Sequence, residues 1–159
     1  MQTLCGIAHY DFHLCRAYSY EQAFNVMRRL RLPYSQAEEM FLRMVFNVVI
    51  RNQDDHTKNI SFLMDNAGKW RLSPAYDLGF AYNPKGAWTN THQMSINGKF
   101  DDITRKDLQA FAISNNIKNA NEIIDKVCEV TSKWPEMAKN CGVPKEMIDA
   151  RLPYMLLNI

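Results

Sequence analysis

The sequence predicts a mostly helical domain that contains small β-hairpins, and three observations carry this prediction. Apolar residues recur at helical spacing over several long stretches. Two short β-type runs flank the turn at Asp65–Lys69, and Asn97-Gly98 is the strongest two-residue turn signal in the chain. The chain has 159 residues, 47% of them hydrophobic, which suits one domain with a closed core. We therefore treat residues 1–159 as a single domain.

Two helices are predicted from their capping residues. Ser19 suits the N-cap of a helix that continues to Leu30 and stops before Pro33. Ser35 is predicted to cap the next helix, with Glu38 completing a capping box. Apolar residues in this second helix share one face: Met40, Phe41, Met44, Val45 and Val48. We expect that face to lie in the core.

A β-hairpin is predicted next. Ile60–Met64 reads as a strand, Asp65–Lys69 as a turn and Trp70–Leu72 as the returning strand. This arrangement would bring Asn59 and Asp77 close together at one end of the hairpin.

The remaining chain is predicted as a loop, a second hairpin and three helices. Phe80–Thr91 shows no periodicity and is expected to be a loop, whereas Gln93–Phe100 is predicted to form the hairpin. Helix starts are predicted at Thr104, at Asn119 or Asn121, and at Pro144. The second of these helices should reach Trp134, and the third should run towards Met155.

Composition and charge exclude several classes of protein. A formal net charge of +2 is too small to indicate a nucleic-acid surface by itself. The longest apolar runs, such as Val48–Ile50, are far shorter than a membrane span. The N-terminus lacks the basic-then-apolar pattern of a signal peptide. We expect a cytoplasmic protein without a membrane segment.

The four cysteines occupy irregular positions, which favours reduced thiols over a disulfide framework. Cys5, His9, His13 and Cys15 are residue types that bind zinc, but their spacing matches no established ligand pattern. A shared helical face for the two histidines is the favoured interpretation, and a zinc site is the alternative.

The polar segment Asn52–Asn59 carries the strongest functional signal. Asp54 and Asn59 stand at the Asp-x-x-x-x-Asn spacing used in phosphoryl transfer, and Asp77 follows beyond the hairpin, before Leu78-Gly79. This chemistry needs one aspartate that orients or deprotonates the acceptor hydroxyl. It also needs an asparagine and a second aspartate that hold magnesium against the nucleotide phosphates. Either motif alone is common by chance, but the pair in this order predicts a phosphoryl-transfer site.

Each side chain of this segment has an expected role. Asp54 is the candidate catalytic base, and Asn59 and Asp77 are the candidate magnesium ligands. Lys58 is a candidate for contact with phosphate, with a solvated turn lysine as the alternative. His56 is a second candidate for nucleotide contact, although a structural hydrogen bond to a loop carbonyl or to the Asp77 region is favoured. Asp55 is expected to cap the loop rather than to share in catalysis.

Taken together, Arg51–Asn59, Phe62 and Trp70–Leu78 resemble the C-terminal lobe of HipA-family serine/threonine kinases. Further similar segments are Ser19–Glu21, Phe46–Val48 and Met94–Lys99. The resemblance covers nearly the whole chain. It implies a protein-kinase-like C-terminal lobe from the toxin of a bacterial toxin–antitoxin pair, of the kind linked to persistence.

The resemblance also implies cofactors, partners and roles. ATP and magnesium would be the cofactors, with Asp54 catalytic and Asn59 and Asp77 coordinating magnesium. The expected partners are a HipB-like helix-turn-helix antitoxin and a protein substrate such as glutamyl-tRNA synthetase. Operator DNA would be reached only through the antitoxin. Phe80–Thr91, at the position of an activation segment, is the expected source of acceptor selectivity.

One departure from the family concerns the N-terminal lobe. Family members carry a phosphate-covering loop and an ATP-contacting lysine there, and no glycine-rich loop or strand lysine precedes Asp54 in this chain. With one wall of the nucleotide site alone, we expect weak ATP binding and poor transfer until an N-terminal lobe is supplied. A non-catalytic module that docks an antitoxin or another partner is the main alternative, and a small-molecule or lipid kinase is a third.

Overall fold

Seven α-helices and five short strands make up the structure, a computed structural model that describes residues 1–159. The helices are α1 (Leu4–Ile7), α2 (Tyr20–Arg29), α3 (Tyr34–Ile50), α4 (Arg105–Ser114), α5 (Ala120–Ser132), α6 (Trp134–Asn140) and α7 (Lys145–Asp149), followed by a 3-10 helix at Leu152–Tyr154. The strands are β1 (Gln2–Thr3), β2 (Tyr18–Ser19), β3 (Ser61–Met64), β4 (Trp70–Leu72) and β5 (Met94–Ser95). The prediction of a helix-rich chain with small β elements is confirmed.

The start of α2 is as predicted, and the start of α3 is not. The Ser19 side chain accepts a hydrogen bond from the Gln22 backbone N–H, and the Gln22 side chain accepts one from the Ser19 N–H, which completes a capping box. At α3, Pro33 is the N-cap residue and no side chain caps the helix. The predicted cap at Ser35 is therefore wrong. The fixed φ of a proline lets the helix begin directly after it, so Ser35 lies within the first turn.

Helix α3 runs through the centre of the core. Its predicted buried face is confirmed, because Met40, Phe41, Met44, Val45 and Val48 are each no more than 2% exposed. The aromatic ring of Phe111 on α4 packs against Phe41, with centroids 6.3 Å apart, and against Phe24 of α2 at 5.1 Å. These contacts join the helices on either side of the polar segment into one apolar core.

The strands form two small sheets. The predicted hairpin is confirmed: β3 and β4 pair antiparallel with Phe62 opposite Leu72, and β1 adds to the other edge of β3. The prediction of a second hairpin over Gln93–Phe100 is wrong apart from its turn. Asn97 and Gly98 both adopt positive φ, but only one bridge, Ile96 to Lys99, closes behind them. Strand β5 pairs instead with β2, in parallel.

The helical C-terminal region differs from the prediction mainly in helix length. The cap at Thr104 is confirmed, and Asn119 is the residue before α5. The predicted continuation of that helix through Trp134 is wrong, since α5 ends at Ser132 and α6 begins at Trp134. Pro135 at the start of α6 lacks the N–H that a continuous helix would need. None of the helices combines the length and apolar character that crossing a bilayer requires.

Candidate active site

The polar segment starts from a fixed point at the end of α3. Arg51 ends the helix in the left-handed conformation, with φ of 60°, and the Asn52 backbone N–H donates to the Asn47 carbonyl at 2.8 Å. The Arg51 guanidinium donates to Asp101 at 3.1 Å and lies 4.1 Å from the centre of the Tyr82 ring. The first residue after the helix is thus anchored on both backbone and side chain.

Asp54 presents a carboxylate that accepts no hydrogen bond. Its side chain is 49% exposed, and its nearest cationic candidate is the His56 Nε2 atom at 4.0 Å. Partial burial raises the pKa of Asp54; the nearby His56 opposes the shift, while the charges of Asp77 and Asp55 add to it. A carboxylate with a raised pKa and free lone pairs is suited to accept a proton from a substrate hydroxyl.

Two hydrogen bonds link Asn59, and the segment that carries Asp77, to the polar segment. The Asn59 side-chain amide donates to the Asp54 carbonyl at 2.9 Å, which leaves the amide oxygen free. The Tyr76 hydroxyl donates to the Lys58 carbonyl at 2.6 Å, and so ties the segment that carries Asp77 to the end of the polar segment. The hairpin therefore joins these two regions, as the sequence predicted.

Asp77 is held by its backbone rather than by its side chain. Its φ is 55°, a left-handed conformation that few non-glycine residues adopt. Its carbonyl accepts a hydrogen bond from the Asn52 side chain at 3.1 Å, and its exposed carboxylate has no hydrogen-bond partner. The carboxylate is consequently free to take a ligand while its main chain is fixed.

Three buried polar side chains, Asn52, Asn47 and Tyr20, which we call the buried relay, connect Asp77 with Asp55. Asn52 donates to the Asn47 side chain at 2.9 Å, and Asn47 donates to the Tyr20 hydroxyl at 3.0 Å. Tyr20 in turn donates to Asp55 at 2.8 Å. Burial raises the pKa of Tyr20 well above its ordinary value, and the charge of Asp55 raises it further, so the hydroxyl keeps its proton.

The sequence interpretation missed the buried relay. The only signal in the sequence is Asn47, a polar residue within the otherwise apolar stretch 44–50 of α3. A buried amide usually requires a partner, but the sequence does not identify that partner.

Asp55 does not cap its own loop, so that expectation is wrong. The residue is 3% exposed, and its partners come from distant parts of the chain. Besides Tyr20, it binds the His92 Nδ1 atom at 2.9 Å and accepts from the Gln93 backbone N–H at 2.8 Å. Asp55 thereby fastens the polar segment to α2 and to the residues before β5.

Lys58 and His56 both contact Phe12, which the sequence interpretation did not single out. The Lys58 ammonium lies 3.2 Å from the centre of the Phe12 ring, and the His56 ring meets it edge to face at 5.3 Å. The expected hydrogen bond of His56 to a carbonyl or to the Asp77 region is absent, because its Nδ1 atom is buried without a partner. Contact of either residue with phosphate stays a prediction.

The residue types around Asp54 fit magnesium better than zinc. No three His, Cys, Asp or Glu side chains are grouped closely enough to hold a metal ion. The expected helical face shared by His9 and His13 is wrong, because α1 ends at Ile7. Asn59 and Asp77 instead offer an amide oxygen and a carboxylate, the kind of small oxygen set that magnesium completes with water and substrate phosphates.

Comparison with protein families assigns the chain. Residues 1–134 match the family described as the HipA-like C-terminal domain, and this range includes Asp54, Asn59 and Asp77. The chain belongs to this family. A comparison with curated proteins gave no match.

A solved structure shares the HipA-like fold. It is the complex of HipA, HipB and operator DNA from the toxin–antitoxin system of Shewanella oneidensis MR-1. A chain of that complex matches with a TM-score of 0.61 and 24% sequence identity, over 74% of the present chain and 28% of its own length. The present chain therefore spans less than a third of the chain it matches, and at this identity the likeness concerns the fold.

Proposed function

We propose that this HipA-like domain is the catalytic lobe of a serine/threonine protein kinase, which transfers the γ-phosphate of ATP to a protein hydroxyl. Two observations on the polar segment support the proposal. The Asn59 side-chain amide donates to the Asp54 carbonyl, and the charge of Asp77 acts on the Asp54 carboxylate, which itself accepts no hydrogen bond. Membership of the HipA-like C-terminal domain family supports the same chemistry.

In this mechanism the oxygen of the acceptor hydroxyl bonds to the γ-phosphorus while the bond between that phosphorus and the ADP oxygen breaks. Asp54 accepts the proton that the hydroxyl loses. Its raised pKa makes it a better base than an ordinary surface aspartate. Asn59 and Asp77 are the residues that would hold magnesium. Bound there, magnesium would neutralise charge on the phosphates. Lys58 would reach phosphate only after leaving the face of Phe12.

The family match and the length of the solved chain support the proposed domain assignment. The matching family is a C-terminal domain, and the present chain spans 28% of the solved chain, which is consistent with residues 1–159 being a C-terminal lobe. An N-terminal lobe would supply the second wall of the nucleotide site, which positions the phosphates. We expect the chain alone to bind ATP weakly and to gain activity when that lobe is present.

The proposed partners follow the family and its solved neighbour. That neighbour is a complex with HipB and operator DNA, which supports a HipB-like antitoxin as a partner of this chain. DNA would then be contacted through the antitoxin. A protein such as glutamyl-tRNA synthetase is the proposed class of substrate, on the resemblance alone.

The test is phosphoryl transfer from radiolabelled ATP after the chain is combined with the N-terminal lobe of a HipA-family kinase. Asp54→Asn should lower the transfer rate about 10²–10⁴-fold, because the proton acceptor is lost. Asp77→Asn should raise the magnesium concentration needed for half-maximal rate. Asp102→Asn is the matched control, since Asp102 is also exposed and also left-handed, with φ of 50°.

Two results would contradict the proposal. One is transfer that survives both Asp54→Asn and Asp77→Asn at the unaltered rate. The other is binding of an antitoxin without transfer in any pairing of lobes, which would favour the non-catalytic module. The contact between the Lys58 ammonium and the Phe12 ring favours this non-catalytic alternative, because it keeps Lys58 away from a phosphate.

A further inference from the structure

A cleft of about 320 Å³ opens beside the Asp54 side chain. Its walls come from the segment between α1 and β2, from the polar segment and from the long loop before β5. We propose that this cleft selects acceptor segments in which a large apolar residue stands next to the serine or threonine. The inference rests on the proposed kinase function and names the class of acceptor for the same site.

The cleft lies on the acceptor side of Asp54. Asp54, His56 and Thr57 line it, whereas neither of the candidate magnesium ligands, Asn59 and Asp77, does. A nucleotide whose phosphates meet those two residues would approach Asp54 from a different direction. The cleft is thus the surface from which a hydroxyl can reach the Asp54 carboxylate.

Three large apolar side chains line the cleft and are well exposed. Phe12, Leu14 and Trp88 line it and are 40%, 56% and 64% exposed. Exposed apolar side chains gathered in one concave site mark an interaction surface rather than ordinary solvent-facing residues. The volume lies at the lower end of the range for ligand pockets, which leaves room for one large side chain rather than for a folded domain.

Charge argues against an acidic or phosphorylated occupant. Arg16 is the only lysine or arginine in the lining, and its Nη2 atom is already engaged. It donates to the Asn90 side chain at 2.6 Å and to the Ala87 carbonyl at 3.3 Å. With the Arg16 Nη2 atom occupied, the Lys58 ammonium held over the Phe12 ring and Asp54 supplying negative charge, an uncharged apolar residue is the occupant that the lining fits best.

The walls are fastened to each other before any acceptor arrives. Arg16 joins the segment before β2 to the long loop. Gln93 donates from its backbone to Asp55 at 2.8 Å and from its side chain to the Trp88 carbonyl. A preformed cleft loses less conformational entropy on binding, so the apolar contact can contribute to selection.

The proposal is tested by measuring which peptides of a library the immobilised full chain retains. The probe is a library of nine-residue peptides with a central serine and degenerate flanks. We expect enrichment of Leu, Met or Phe within two positions of the serine. Trp88→Ala should reduce that enrichment about tenfold, since it removes part of the buried apolar area. Leu14→Asp, at a residue too exposed to endanger folding, should reduce it as well.

The controls separate this inference from the kinase proposal. Ile113→Ala changes an apolar residue on α4 that is 81% exposed and does not line the cleft, so it should leave the enrichment unchanged. Asp54→Asn should lower transfer about 10²–10⁴-fold when the N-terminal lobe is present, but should keep the apolar selection. Trp88-dependent selection, combined with no transfer in any pairing with an N-terminal lobe, would contradict the kinase proposal alone. No retained peptide, or an apolar preference that survives both Trp88→Ala and Leu14→Asp, overturns the inference.

Discussion

Asp54 and Asp55 are neighbours in sequence and lie in opposite environments. The Asp54 side chain is 49% exposed and accepts no hydrogen bond, whereas the Asp55 side chain is 1% exposed and binds three groups. Both belong to a stretch of chain without helix or strand. The comparison shows how one short segment supplies both a reactive group and the anchor that holds it.

The difference has an energetic basis. A buried carboxylate is costly unless donors compensate for lost water, and Asp55 has three donors of this kind around it. Asp54 keeps contact with solvent and retains its lone pairs. A site works best when its reactive group is free and its supporting groups are locked, so the rigidity of Asp55 serves the availability of Asp54.

The largest effect is expected from replacing the anchor. Asp55→Asn replaces one carboxylate oxygen with an amide nitrogen, which cannot accept a hydrogen bond, so at least one buried donor loses its partner. We expect the free energy of unfolding to fall by about 2–4 kcal/mol, measured by urea denaturation. The matched control is Asp54→Asn, the same change one residue earlier, which should cause no loss. Equal losses at the two positions would break the comparison.

A smaller effect is expected from the buried relay that extends the anchor to Asp77. Asn52→Ala removes the donor to Asn47 and to the Asp77 carbonyl, and should lower the free energy of unfolding by about 1–3 kcal/mol. Asn25→Ala, at an exposed asparagine of α2, provides the control and should change it little. A relay substitution as mild as the control would mean that Asp77 is held by other contacts.

The smallest effect concerns the pH dependence of Asp54. Its pKa is raised in the folded protein, so the neutral form favours folding and the wild type loses this contribution as pH rises through the raised pKa. Asp54→Asn mimics the neutral form, and should therefore be slightly more stable than wild type near pH 7. The advantage should vanish below the ordinary value of 3.8, where both states are protonated. Thermal unfolding of both proteins across this range provides the measurement, and an advantage that grows towards low pH would contradict the sign.

Local signals in the sequence predicted the local parts of the fold. The Ser19 cap, the buried face of α3 and the first hairpin each depend on residues close together in the chain, and all three are confirmed. The cap at Ser35 failed because Pro33 already starts that helix. The proximity of the Asn59 and Asp77 regions was likewise predictable, because only the β3–β4 hairpin separates these two residues in the chain.

Long-range contacts account for what the sequence did not predict. His92 lies 37 positions beyond Asp55. Strand β5 pairs with the distant β2 rather than with the residues that follow the Asn97-Gly98 turn. Phe12 meets Lys58 and His56 across a similar gap. Such pairings are set by the packing of the whole domain, and no spacing rule within a short window encodes them.

The free thiol of Cys15 gives this architecture a chemical consequence. Cys15 is exposed and lines the cleft beside Asp54, whereas Cys141, the other exposed cysteine, does not. An electrophile that alkylates Cys15 would place its adduct where a protein acceptor would enter. The rate of labelling at Cys15 relative to Cys141 therefore becomes a built-in reporter of occupancy, readable by mass spectrometry even when no nucleotide is supplied.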